Sequence, residues 1–202
     1  MKIVIVGASG TVGRAVVTEL EKNGQHALIR VGHRQGDLQI DITDDASVEA
    51  LFARTGKVDA IIATTGNLFF GPLGEMTTDN FSIGLQDKLL GQVRLTLKGQ
   101  HFLNDGGSIT LTSGIVADEP IAQGVNATTV NAALAGFVKA AACELPRGIR
   151  INLVSPTLLT ESETAYGPFF PGFESVPAAR VALAYRKSVE GVQSGQVFKV
   201  GY

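Results

Sequence analysis

The chain has 202 residues, of which 45% are hydrophobic, enough to bury the core of one ordinary domain. Its formal net charge is −2, so no strong field draws it to nucleic acid or to an anionic membrane. The one cysteine, Cys143, excludes an internal disulfide, and no Cys/His cluster suggests a metal site. No apolar run is long enough to cross a bilayer and no signal-peptide pattern is present, so we expect a cytoplasmic protein.

The first segment predicts a strand, a tight glycine turn and a helix. Ile3–Val6 is a short apolar run rich in β-branched residues, typical of a buried parallel strand. Gly7, Gly10 and Gly13 follow at three-residue spacing, and apolar residues then recur at helical spacing as far as Leu20. This context is the one in which a glycine triplet indicates a dinucleotide-binding turn, although the spacing is GxxGxxG rather than GxGxxG.

Each glycine has a separate task in such a turn. Gly7 allows the chain to turn, Gly10 allows the backbone to approach a pyrophosphate, and Gly13 allows the helix to pack on the strand. The pyrophosphate is expected at the free N–H groups of the helix N-terminus. We therefore assign cofactor binding to the turn as a whole, that is to Gly7, Ser9, Gly10, Thr11, Val12 and Gly13. The alternative is a glycine-rich turn without a ligand.

The residues after the second strand indicate which dinucleotide is bound. Ala27–Val31 predicts that strand, and no acidic residue follows it before Asp37. An acid at this point would bind a free ribose 2′-hydroxyl, whereas a basic residue accommodates a 2′-phosphate. Arg34 can pair with a phosphate, with His33 beside it and Ser9 as a further donor. The pattern favours NADP over NAD, unless Arg34 is an ordinary solvated charge.

A third strand is predicted at Leu38–Ile42. Asp41 lies where a side chain could accept a hydrogen bond from the adenine amino group, with Ile42 beside it; Asp41 could equally be a turn or capping residue. Thr43 or Asp44 can cap the helix that follows.

The rest of the chain continues to alternate strands with helices. Further strands are predicted at Val58–Thr65, Gly107–Gly114, Ile149–Val154 and Gln196–Val200, and long helices over Phe81–Leu97 and Asn126–Leu145. Thr65 and Gly66 then lie at the carboxyl edge of the sheet, where ligands bind. The pattern predicts an α/β, Rossmann-like, doubly wound and mostly parallel sheet of about seven strands, in a single NAD(P)-binding domain spanning 1–202.

Six segments together are similar to the short-chain dehydrogenase/reductase family over essentially the whole chain. They are Gly7–Gly13, Asp41–Thr43, Asp59–Gly66, Gly107–Ser113, Gly148–Asn152 and Ser155–Thr157. The resemblance implies a nicotinamide-dependent oxidoreductase. It also implies that Thr157 and Thr160 meet the nicotinamide carboxamide and the phosphates, and that Pro156 belongs to the same cofactor site.

The family's catalytic groups are a Ser, a Tyr and a Lys, with an assisting Asn. Ser113 matches the family serine, and Lys88 stands where the assisting Asn is expected. The YxxxK motif corresponds to Asn126–Val130, with Asn126 in place of Tyr and Val130 in place of Lys. Asn126 does not titrate and cannot act as a general acid. The resemblance therefore carries the fold and the cofactor site over to this chain, but not the standard catalytic apparatus.

Three replacements for the missing groups are conceivable. Lys88 could supply the cation, Tyr166 could supply its phenol, or a water held by Ser113, Asn126 or Asn131 could relay a proton. Asn131 is also a candidate ligand of the cofactor ribose. The plainer explanations are a solvated lysine, a packed loop aromatic and a serine hydroxyl bonded to the backbone.

Residues 157–177 are predicted to form a substrate lid at the ligand edge of the sheet. The segment mixes Gly and Pro with Tyr166, Phe169, Phe170 and Phe173. These aromatics suit an apolar or aromatic substrate, or else a subunit contact.

Two functions follow from these features. The first is an NADP(H)-dependent oxidoreductase with a non-standard catalytic site, reducing a small carbonyl or conjugated substrate. The second is a catalytically silent NADP-binding sensor or partner subunit. Because the family pairs the helices that correspond to Phe81–Leu97 and Asn126–Leu145 across a two-fold axis, the resemblance also implies a homodimer or homotetramer.

Overall fold

The computed structural model describes residues 1–22 and 24–202, and its centre is one parallel sheet. In chain order the strands are Lys2–Val6 (β1), Ala27–Gly32 (β2), Leu38–Gln39 (β3), Val58–Ala63 (β4), Leu103–Thr112 (β5), Arg150–Pro156 (β6) and Val197–Val200 (β7). Across the sheet they lie in the order β3-β2-β1-β4-β5-β6-β7, and each neighbouring pair is parallel. The predicted Rossmann-like fold is confirmed.

Helices connect the strands. They are Thr11–Glu21 (α1), Asp45–Thr55 (α2), Thr78–Gly84 (α3), Leu90–Gly99 (α4), Val125–Glu144 (α5), Glu163–Tyr166 (α6) and Ala178–Glu190 (α7). A π-helical turn, Leu85–Leu89, joins α3 to α4. Short 3₁₀ turns occupy Leu73–Glu75, Ile115–Ala117, Thr160–Ser162 and Gly167–Phe169.

Alternate side chains of β1 enter two separate cores, because successive residues of a strand point to opposite faces of the sheet. Val4 and Val6 join the core beneath α2, α4 and α5. Ile3 and Ile5 join the core beneath α1 and α7. Helices therefore cover both faces, which is why the central strands read as continuous apolar runs.

Several elements differ from the sequence-based expectation; β5, for example, begins at Leu103 rather than at Gly107. The third strand is only Leu38–Gln39, because the chain turns at Asp41 before α2 begins. The helix predicted over Phe81–Leu97 is divided by the π-helical turn. Helix α7 was not predicted, although its buried residues recur at helical spacing. The predicted cap of α2 is confirmed, since Asp44 accepts hydrogen bonds from the Ala46 and Ser47 amides.

Two further observations concern function classes. Within residues 1–22 and 24–202, no helix combines the length and apolarity needed to cross a bilayer. The same residues contain no group of three or more His, Cys, Asp or Glu side chains positioned to hold a metal ion.

Candidate active site

Two cavities open at the carboxyl edge of the sheet, where ligands bind in open parallel α/β folds. The first, of about 310 Å³, lies beside the ends of β1, β2 and β4. The second, of about 400 Å³, lies between the ends of β5 and β6 and the lid segment. We call them the dinucleotide cavity and the inner cavity.

The glycine turn between β1 and α1 fits a dinucleotide phosphate. Gly7 has φ +85°, and a Cβ built there would lie 2.7 Å from the Thr64 carbonyl oxygen. A Cβ on Gly13 would lie 2.1 Å from the Gly7 carbonyl oxygen, so α1 can approach β1 only with glycine at this position. Helix α1 begins after Gly10 without a side-chain cap. Its first N–H groups are therefore open to an anionic ligand.

The dinucleotide cavity contains several of the residues assigned to the cofactor. Gly7, His33, Asp41, Ile42 and Thr65 line it, as expected. It is also lined by two polar residues that the sequence analysis did not assign, Asn67 and Asp87. These two bond to each other, with Asn67 Nδ2 donating to Asp87 Oδ2 at 2.5 Å. Neither segment carries a motif that would have revealed the pair.

The end of β2 is where the sequence analysis placed the contacts to the adenosine ribose. The acid nearest in sequence, Asp37, is already engaged, because its carboxylate accepts a hydrogen bond from the Arg30 amide at 2.8 Å. Arg34 is exposed in the loop after β2. A Cβ built on Gly32 would lie 3.6 Å from Ser9 Oγ, which places the Ser9 hydroxyl at the same strand end.

Asp41 fulfils the turn role that was one of its two predicted roles. Its Oδ1 accepts hydrogen bonds from the Thr43 hydroxyl at 2.7 Å and from the Thr43 amide at 2.8 Å. These bonds, the hydroxyl's above all, lower the pKa of the Asp41 carboxyl. Since Asp41 also lines the dinucleotide cavity, its second oxygen can still accept a bond from an adenine amino group.

The inner cavity is mostly apolar. Its lining is Gly66, Asn67, Leu68, Phe70, Lys88, Ser113, Gly114, Ile115, Val116, Asn131, Pro156, Thr157, Leu158, Leu159, Ser162, Tyr166 and Phe170. Lys88 is the one charged residue in that lining, and no carboxylate of the described residues belongs to it. The cavity therefore has an apolar body with a few polar groups, as small-molecule sites do.

Lys88 points into the inner cavity rather than into solvent. The residue is 8% exposed, and Nζ donates a hydrogen bond to the Ser113 carbonyl oxygen at 3.3 Å. Of the two possibilities that the sequence left open for Lys88, a cation in the site or a solvated side chain, the structure has the first. Burial lowers the pKa of Lys88 to about 8, because the charged form loses its hydration.

Gln92 fixes the backbone beneath Lys88. This fully buried side chain donates to the carbonyl oxygens of Lys88 and Thr112, at 3.2 and 2.9 Å, and accepts from the Thr112 amide at 2.8 Å. It thereby joins the π-helical turn to the end of β5, one residue before Ser113. The sequence analysis missed Gln92, although its i+4 spacing from Lys88 places both residues on one helical face.

Asn131 presents an unpaired oxygen at the inner cavity. The residue is 2% exposed, and its Oδ1 has no hydrogen-bond partner among the described residues. The Ser113 hydroxyl donates to the Asn131 carbonyl oxygen at 3.0 Å, so the two residues are adjacent. Because buried polar atoms are nearly always paired, Asn131 Oδ1 is suited to accept a hydrogen bond from a bound ligand.

Asn126 does not line the cavity. Its Nδ2 donates to the Phe81 carbonyl oxygen at 2.7 Å, and its Oδ1 accepts from the Phe69 amide at 3.0 Å. Both polar groups of Asn126 thus tie α5 to neighbouring backbone. Four residues before Asn131, on its face of α5, stands Ala127, packed with Ile115 and Val116. The prediction that Asn126 belongs to the catalytic site is therefore wrong, because the rotation of α5 turns Ala127 and Asn131, and not Asn126, toward the cavity.

Tyr166 lies at the mouth of the inner cavity. It is 48% exposed, and its ring centroid is 6.4 Å from that of Phe70 on the opposite loop. Thr157 lines the cavity, but its hydroxyl donates to the Glu174 carbonyl oxygen at 3.0 Å. The Thr160 hydroxyl lies 3.2 Å from Ser175 Oγ, and Thr160 is outside the cavity lining. These hydroxyls hold the two ends of the lid together.

The fold and the glycine turn define a Rossmann-like domain of the kind that binds nicotinamide dinucleotides. Comparison with known proteins agrees. Residues 4–196 match a family model described as enoyl-(acyl carrier protein) reductase. The protein lin1944 from Listeria innocua is 48% identical, with a TM-score of 0.97 and 99% of both chains covered. A small-chain dehydrogenase in complex with NADPH is 26% identical, with a TM-score of 0.89, covering 99% of this chain and 96% of that one.

The chain belongs to the short-chain dehydrogenase/reductase family, a family of oxidoreductases. Among its curated relatives, hydroxynaphthalene reductase arp2 of Aspergillus fumigatus is 23% identical over 89% of this chain and 76% of its own length. An oxidoreductase of Methylorubrum extorquens is 26% identical over 76% of this chain and 71% of its own length.

Proposed function

We propose that the protein is an NADPH-dependent reductase of a small carbonyl or conjugated substrate, in which Lys88 replaces the family's proton donor. The observation that carries this proposal is the position of Lys88 Nζ, buried in the inner cavity and 3.3 Å from the Ser113 carbonyl oxygen. The NADPH-bound relative and the reductase of Aspergillus fumigatus support the same class of reaction.

The cofactor is proposed to lie across both cavities. The open N-terminus of α1 would hold the pyrophosphate, and Ser9, His33 and Arg34 would meet the 2′-phosphate. The unpaired Asn131 Oδ1 would accept a hydrogen bond from a hydroxyl of the nicotinamide ribose. When bound, NADPH supplies the hydride.

The proton is the part of the reaction that this chain must supply. An ammonium group with a pKa of about 8 is still mostly protonated at neutral pH, but it is a stronger acid than a solvated lysine. Such a group is suited to donate a proton to a substrate oxygen as negative charge develops there. Ser113, through its carbonyl, and Gln92, through the backbone, hold Lys88 in place for this step.

A substrate screen tests the proposal. Purified protein is offered small aldehydes, ketones, quinones and conjugated enones with NADPH, whose absorbance reports turnover. Lys88→Met should lose the turnover. Lys57→Met is the matched control, because Lys57 Nζ also donates to a single backbone carbonyl, that of His101, but lies exposed and away from both cavities. No turnover of any substrate, with NADPH binding intact, would support the silent binding protein instead.

The proposal includes self-association. Leu97, half exposed on α4, lines an apolar groove with Phe137, Ala140 and Ala141 of α5. A second copy of this chain could cover the groove by an isologous contact, giving a homodimer or, from two such dimers, a tetramer.

A further inference from the structure

The inner cavity holds a cation without a counter-charge. Among the described residues that line it, Lys88 is the one charged group, and Tyr166 is the other ionisable one. Asp87, the adjacent residue in the π-helical turn, faces the dinucleotide cavity and is bonded to Asn67. The protein thus buries an ammonium group and leaves its charge unpaired, an arrangement that is costly unless a ligand compensates it.

The surroundings of Lys88 restrict what that ligand can be. One carbonyl oxygen, that of Ser113, accepts from the ammonium, which has three donors to place. The walls beyond it are apolar or aromatic and include Phe70, Leu158, Leu159 and Phe170. The complementary molecule is apolar or aromatic over most of its surface, and it carries an oxygen acceptor at the end that reaches Lys88.

We propose that the substrate is a small aromatic anion whose carboxylate or phenolate oxygen accepts one N–H of the Lys88 ammonium, while another N–H of the same group is directed at the oxygen being reduced. This inference rests on the proposed function for its view of the inner cavity as the substrate site. It goes further because it states that the substrate is negatively charged. Neither the apolar walls of the cavity nor the class of reaction requires a charged substrate. A charge-assisted hydrogen bond to an ionised oxygen is about twice as strong as a neutral one, so the pairing also selects against neutral analogues.

Matched ligands test this inference without a cofactor and without turnover. Calorimetric titration compares 2-naphthoate with its isosteric amide, and 2,4-dinitrophenol, which is ionised at neutral pH, with its methyl ether. We expect at least one anion to bind about tenfold or more tightly than its neutral partner, as a charge-assisted bond implies. The pair that shows the preference identifies the carboxylate or the phenolate as the recognised group.

Two variants assign the effect to Lys88. In Lys88→Met the anion and its neutral partner should bind equally, whereas Lys57→Met should keep the preference. Equal binding of both pairs by the wild-type protein would overturn the inference, and so would a preference that survives in Lys88→Met. Because no reduction is measured, a failed substrate screen leaves this result interpretable, and a failed titration leaves the reductase proposal standing.

Discussion

Gly66 makes room for Lys88. A Cβ built on Gly66 would lie 2.6 Å from Cα, Cβ and Cγ of Lys88, and Gly66 has φ +125°, a conformation that other residues rarely adopt. The chain leaving β4 therefore packs directly against the π-helical turn. The aliphatic part of the Lys88 side chain cannot move toward Gly66. This contact places the ammonium in the inner cavity.

Gly66→Ala should destabilise the protein by about 1–3 kcal/mol, since it adds both backbone strain and a steric clash. Urea unfolding measures the change. Gly74→Ala is the control, because a Cβ on Gly74 meets no atom within 4 Å. If both variants unfold at the same urea concentration as the wild type, Gly66 is not the constraint described here.

Lys88→Met should make the protein more stable at neutral pH while removing its activity. The folded-state pKa of Lys88, about 8, lies below its ordinary value of 10.5, so the unfolded chain binds more protons between these two values. As pH rises from 8 to 10.5, the free energy of unfolding of the wild type should therefore increase relative to that of the variant. Below pH 8 the variant should be more stable by on the order of 3 kcal/mol at most. Unfolding curves at pH 7 and pH 10 that show the same difference would contradict this.

The rate of reduction should fall above pH 8, because a general acid must hold its proton to donate it. The described residues that line the inner cavity include one other ionisable group, Tyr166, at its mouth. Tyr166→Phe is therefore the informative comparison. A descending limb of kcat/KM that stays near pH 8 in Tyr166→Phe assigns the proton to Lys88, whereas its loss would assign it to Tyr166.

Arg34→Ala should remove most of the preference for NADPH over NADH. The loss of a phosphate contact is expected to weaken NADPH binding about tenfold or more, or 1.4 kcal/mol, and to leave NADH binding unchanged. Titration calorimetry with both cofactors decides it. Arg54→Ala, which removes an exposed arginine from the last turn of α2, should bind both as the wild type does. Equal affinities of the wild type for the two cofactors would exclude an NADP-specific site.

Leu97→Glu should separate the proposed subunits, since it places a charge in the apolar groove between α4 and α5. Sedimentation velocity should show the wild type as a dimer or tetramer at micromolar concentration and the variant as a monomer. Val192→Glu, at a residue 91% exposed outside the groove, should leave the assembly intact. A monomeric wild type would refute the proposal.

The sequence was informative wherever the backbone itself imposes the constraint. Gly7 and Gly13 could be assigned from their spacing because no other residue fits between β1 and α1. The apolar strands could be assigned because burial on both faces leaves a continuous hydrophobic run. For Lys88 the sequence left two orientations open, inward or solvated, and the structure has the inward one.

The features that the sequence analysis missed depend on packing between segments that are far apart in the chain. Whether Asn126 or Ala127 faces the inner cavity is decided by the rotation of α5 about its axis, and every face of that alanine-rich helix looks alike in the sequence. The bonds of Gln92 join the π-helical turn to β5, twenty residues away. The first amide of α7, that of Ala178, is bonded to the Glu161 carboxylate seventeen residues earlier, so the sequence around Pro177 shows no local cap for this helix.

The π-helical turn also makes the surroundings of Lys88 sensitive to insertions and deletions, which point substitutions do not test. A π turn holds one residue more than the α-helical turn it replaces, so α3 and α4 are out of phase by about 100°. Deleting a single exposed residue such as Gln86 would let the segment relax into one continuous α-helix. Lys88 and Gln92, four residues apart, would still share one helical face, but α3 would turn relative to both of them and to the cavity. Insertions and deletions at this turn would therefore change how α3 is oriented toward the inner cavity, while the sheet and the glycine turn remain intact.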